Sequence, residues 1–79
     1  MKTEFCFSRQ GHDKGTLYYI IEETQNYVLV SDGRLHPLEK PKKKNLKHIQ
    51  RTNFSALQET AVTNDNIKYL IKRFSNREI

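Results

Sequence analysis

A chain of 79 residues is one small domain, and at this size only about 60% of the unfolded surface is buried, which argues against a deep substrate cleft beside the core. The single cysteine, Cys6, excludes an intrachain disulfide framework, and no apolar run approaches the roughly 20 residues of a membrane-spanning helix. The net charge of +5 and pI of about 9.5 suit a polyanionic partner.

The segment 4–8 alternates Phe5 and Phe7 with polar or small residues, the period of a strand with one buried face. Residues 9–15, with Gly11, Asp13 and Gly15, read as a turn. A second strand is expected over 16–23, where Leu17 to Ile21 is apolar on both faces, so that both faces are expected to be covered. A polar turn at 24–26 leads to a third strand, Tyr27 to Val30. Asp32-Gly33 then suits a tight hairpin into a short fourth strand, Leu35 to Leu38, whose Pro37 implies an edge position. Residues 40–45 read as a Pro- and Lys-rich loop, and Leu46 to Gln50 as a fifth strand.

Beyond Arg51 the period changes. Ile67, Leu70, Ile71 and Phe74 share one helical face, Thr63 or Asn64 suits the N-cap, and Asp65 sits in the first turn, predicting a helix over about 64–76. Phe54 to Val62 is ambiguous, with Ser55 able to cap a short helical turn. The fold class expected is mainly β: a small five-stranded barrel over residues 1–52, since closure removes exposed sheet edges. Residues 53–79 would form a C-terminal extension carrying the amphipathic helix.

Basic residues concentrate between Arg34 and Arg51, where Arg34, Lys40, Lys42, Lys43, Lys44, Lys47 and Arg51 face a single acid, Glu39. Lysines 42–44 cannot all be buried. A solvated loop is the plainest account of such a run, but Pro37 and Pro41 limit its freedom and a predicted strand anchors each end. Lysines suit phosphates rather than base edges, which favours recognition of folded RNA by shape. Tyr18, Tyr19 and Tyr27 are expected in or near the core rather than as a stacking platform.

Residues 4–22, with Ser-Arg-Gln-Gly-His-Asp-Lys-Gly at 8–15, resemble the KOW motif, a strand, a glycine-containing loop and a second strand. Tyr-Val-Leu-Val-Ser-Asp-Gly-Arg-Leu at 27–35 and Lys-Pro-Lys-Lys-Lys-Asn-Leu-Lys-His-Ile at 40–49 extend the match. Together they look like bacterial KOW-domain proteins similar to the L-fourteen-e group of ribosomal proteins. The resemblance implies an SH3-like barrel that binds RNA, with Arg9, His12, Lys14 and Gly15 facing the RNA, joined by Arg34 and the lysines from 40 to 47. The loop departs from the family pattern at Gln10 and His12.

The partner expected is therefore RNA, ribosomal RNA or the ribosome above all, with Arg51 at the border of the basic span. The alternative is a module that docks an acidic protein. No catalytic motif accompanies Cys6, no phosphate loop follows Gly11 or Gly15, and the spacing of Cys6, His12, His36 and His48 fits no zinc pattern. No enzyme activity, cofactor, metal, membrane association or small-molecule substrate is expected. The segment Met1 to Phe7 is too short and polar for a signal peptide, which makes the cytosol the expected compartment.

Overall fold

The computed structural model describes residues 4–54 and 61–77, with side chains through residue 75. Strands β1 (Phe5–Ser8), β2 (Leu17–Glu23), β3 (Tyr27–Ser31), β4 (Lys42–Asn45) and β5 (Ile49–Arg51) precede helix α1 (Asn64–Arg77). The five strands form one sheet in the order β4-β3-β2-β1-β5, and every neighbouring pair is antiparallel.

The period of two sorts the side chains onto two faces, and both are covered. One face carries Cys6, Tyr18, Ile20, Val28, Val30 and Ile49, with Leu46 packed against them. The other carries Phe5 and Leu17, flanked by Phe7 and Tyr19, and receives Leu70 and Phe74 of α1. The Phe5 ring meets Phe74 edge-on at 5.2 Å and Tyr19 at 5.3 Å, while Phe54 stacks on Phe74 at 4.7 Å. Burial of Ile67, Leu70 and Phe74 follows from the i, i+3, i+7 spacing. Thr63 caps the helix: its hydroxyl accepts the backbone N–H of Asn66 at 3.1 Å.

Three expectations are corrected. First, 35–38 is not a strand. Asp32 Oδ1 accepts the N–H groups of Arg34 and His36, and Ser31 Oγ donates to the His36 carbonyl, so the segment folds on itself as a loop. The Asp-Gly pair therefore makes no tight hairpin, and residues 32–41 join β3 to β4. Gly33 has φ +74°, and a Cβ there would lie 2.4 Å from the Asn64 carbonyl oxygen. Glycine is needed at this position because the loop presses against the start of α1.

Second, the lysine run expected as a loop is β4. Lys42, Lys43 and Lys44 pair with Val30, Leu29 and Val28. Lysine is a poor strand former, and the segment is extended because each of its lysines has something to rest on, as described below. The fifth strand is correspondingly shorter than expected: Leu46–His48 is a 3-10 turn, capped by the Asn45 side chain, and β5 begins at Ile49.

Third, the sheet is open. β4 and β5, at the two ends of the order, make no ladder with each other, so the expected barrel is not closed by backbone pairing. One ion pair does reach past a neighbouring strand, from β5 to β2. A bulge at Ile21 leaves Glu23 opposite Val28, and Arg51 lies opposite Cys6. From these positions Arg51 reaches Glu23 with both guanidinium NH groups, one at 2.9 Å from Oε1. The segment around Ser55 lies outside the described residues.

Candidate nucleic-acid interface

Asp13 organises the basic region. It sits in the β1–β2 loop, which folds back through Thr16 N–H to Asp13 C=O at 2.9 Å and Gly15 N–H to Ser8 C=O at 2.8 Å. Its Oδ1 accepts Lys44 Nζ at 2.8 Å and the Ser8 hydroxyl at 2.8 Å. Its Oδ2 accepts the Tyr18 hydroxyl at 2.7 Å and lies 3.2 Å from Lys42 Nζ. Burial disfavours the Asp13 carboxylate. The hydrogen bonds from Lys44, Tyr18, Ser8 and Lys42 outweigh that and hold its pKa well below the usual carboxylate range. The same burial, with the bond to Asp13, raises the Tyr18 phenol.

Alternation along β4 divides the three lysines. Lys42 and Lys44 turn to Asp13, and Lys44 Nζ also donates to the Gln10 carbonyl at 3.0 Å. The Lys44 side chain is only 10% exposed. Lys43 points the other way and covers the Tyr27 ring, its Nζ 4.3 Å from the centroid. The lysines expected as one solvated, phosphate-facing group thus have structural partners, and Lys44 is tied most tightly.

Arg9, His12, Lys14 and Gly15 are all exposed. Gly15 has φ +92° with open space where a Cβ would be, so backbone conformation alone calls for glycine there. The loop lies along β4 and the 3-10 turn: Lys44 grips Gln10 and Asp13, and the Arg9 N–H donates to the His48 carbonyl at 2.8 Å. Exposed Arg9, Lys14 and Lys47 have no ion-pair partner among the described residues. Arg51 is neutralised by Glu23, whose hydrogen bonds raise the guanidinium pKa further.

Arg34 and Lys40 do not join this group. Both are exposed in the 32–41 loop, which is pinned to the helix start by the Leu38 N–H donating to Asn64 Oδ1 at 2.8 Å. Arg34 stands instead with Lys68 and Lys72 around a surface cleft of about 440 Å³. Such a volume was not expected in so short a chain. It lies where the 32–41 loop and α1 meet the start of β2. Asp13, Lys68 and Lys72 were missed by reading the sequence; the single acid inside a basic glycine loop was the one available hint.

Among the tyrosines, Tyr18 is core, Tyr19 is half-buried, and Tyr27 lies under Lys43. Cys6 is fully buried and its thiol is pushed up to about 11 by burial. Among the described residues no group of three or more His, Cys, Asp or Glu could hold a metal ion, and no helix is long and apolar enough to cross a membrane. The sequence matches no protein-family model and no curated protein.

Proposed function

We propose that this protein is a non-catalytic RNA-binding module of SH3-like, KOW type, which recognises structured RNA, ribosomal RNA in the first place, with Arg9, His12, Lys14 and Lys47 against the phosphates. The observation that carries the reading is the docking of the β1–β2 loop beside β4 and the 3-10 turn through Asp13, Lys42 and Lys44. That docking gathers two basic segments, distant in sequence, along one side of the sheet. The lysines that fasten the loop are distinct from the cations left unpaired, which is the division expected of a preorganised binding surface. The five-stranded antiparallel order is compatible with the barrel-like reading, and the Arg51–Glu23 pair reaches past β1 to join β5 to β2.

The test is binding to ribosomal RNA, an RNA duplex and a DNA duplex across a salt series. With about five phosphates contacted, affinity should fall roughly 500-fold between about 50 and 200 mM salt, taking the duplex-DNA slope as guide. RNA should remain preferred at the higher salt. The double variant Lys14→Glu, Lys47→Glu should keep its thermal stability and lose most RNA affinity. Unchanged RNA binding in that variant, or equal binding to all three nucleic acids that salt erases, would overturn the reading. The latter outcome would favour an acidic protein as partner.

A further inference from the structure

The cleft beside α1 has a composition that a phosphate-binding surface alone does not need. Arg34, Lys68 and Lys72 supply cations. Arg34 and Lys72 have no ion-pair partner among the described residues, and Lys68 has only a 3.5 Å contact with the exposed Asp65. Leu17 and Ile71 supply apolar lining. Asp32 supplies one carboxylate, whose Oδ1 is engaged by the N–H groups of Arg34 and His36, while Oδ2 has no hydrogen-bond partner among the described residues.

The walls are fixed before any ligand arrives. Gly33 sits against the Asn64 carbonyl, Leu38 N–H donates to Asn64 Oδ1, and Asn64 Nδ2 donates to Glu39 Oε1 at 2.6 Å. The loop bearing Asp32 and Arg34 is thereby held to the helix bearing Lys68, Ile71 and Lys72. Thr16, which also lines the cleft, directly follows the exposed Lys14 and Gly15 of the β1–β2 loop.

We infer that this cleft binds one unpaired nucleotide whose base carries an exocyclic amino group, with its phosphate on Arg34 and Lys72, its base against Leu17 and Ile71, and its amino group donating to Asp32 Oδ2. A bare phosphate would use the cations but would be repelled by Asp32 and leave the apolar lining idle. An amino-bearing base uses all three features, since a carboxylate accepts from an amino N–H and unstacked bases are read on their polar edges. The inference deepens the RNA-binding reading, placing an extruded nucleotide of the bound RNA beside the phosphate-contacting loop. The cleft has its own chemistry and can be tested separately.

The experiment is titration of the ¹⁵N-labelled protein with cytidine monophosphate, uridine monophosphate and inorganic phosphate at constant ionic strength, followed by a short single-stranded oligocytidine and an RNA duplex. Cytidine monophosphate should shift the amides of Thr16, Arg34 and residues 68–72 and bind about ten-fold tighter than uridine monophosphate, the value of one charge-assisted hydrogen bond. Asp32→Asn, which keeps the Oδ1 acceptor, should bring the two nucleotides to within about two-fold, and Arg34→Ala should weaken both. Oligocytidine should shift the same amides, which assigns the site to nucleotides within RNA as well as free ones. Equal shifts from phosphate and both nucleotides, or a cleft untouched by cytidine monophosphate, would overturn the inference. Duplex binding confined to the 9–14 loop with a silent cleft would leave the RNA reading standing alone, whereas a responsive cleft without duplex binding would do the reverse.

Discussion

Replacing Asp13 by Ala removes a carboxylate that four donors share. Lys44, with a side chain only 10% exposed, loses its counter-ion. The buried Tyr18 hydroxyl loses its acceptor, the Ser8 hydroxyl loses one of two, and the more exposed Lys42 is freed to water. Removing one partner of a buried ion pair costs about 3–5 kcal/mol. The outer side of this cluster is wet, which places the expected loss near the lower end, about 3 kcal/mol. Total stability for a domain of this size is roughly 4–12 kcal/mol, so the effect would be large in a urea titration. Lys44→Met should cost less, because Asp13 keeps Lys42, Tyr18 and Ser8. A double-mutant cycle between the two positions should therefore give a coupling above about 1 kcal/mol. A loss below about 0.5 kcal/mol for Asp13→Ala would refute the view that this carboxylate fastens the sheet.

Gly33→Ala should cost about 2 kcal/mol or more, from positive φ and collision with the Asn64 backbone; a thermal midpoint within a degree of the parent would contradict this. The folded pKa of Asp13 lies below its unfolded value near 3.9, so its contribution is complete above roughly pH 5 and is lost as pH falls through and below about 4. Urea midpoints measured from pH 6 down to 2 should drop in the parent more than in Asp13→Ala. With its thiol raised to about 11 by burial, Cys6 should resist a disulfide reagent at about pH 8 until the protein unfolds. Rapid stoichiometric labelling of the native protein would show that β1 opens readily.

Periodicity made β1, β2, β3 and α1 legible, because each buries a face that the sequence marks with apolar residues at the right interval. Leu17 to Ile21 announced its two covered faces in the same way. β4 was illegible for the converse reason. Nothing apolar marks Lys42–Asn45, and its conformation depends on Asp13 and Tyr27, which are distant in sequence. Residues 35–38 looked like a strand because local side-chain bonds from Ser31 and Asp32 leave no periodic trace. Of the basic residues, exposure of Arg9, His12, Lys14 and Lys47 could be read from charge. The withdrawal of Lys44 and Arg51 into ion pairs could not, since it depends on which acids the fold brings near.

β4 has no strand on its outer side among the described residues, and such an edge is an open template for a second chain. Here the template is written in lysine. A second copy pairing along this edge would bring its own lysines against these, while Lys42 and Lys44 are held on one side by Asp13 and Lys43 on the other by Tyr27. Lysines on an edge strand disfavour edge-to-edge pairing, so Lys42 and Lys44 both hold the β1–β2 loop and guard this edge.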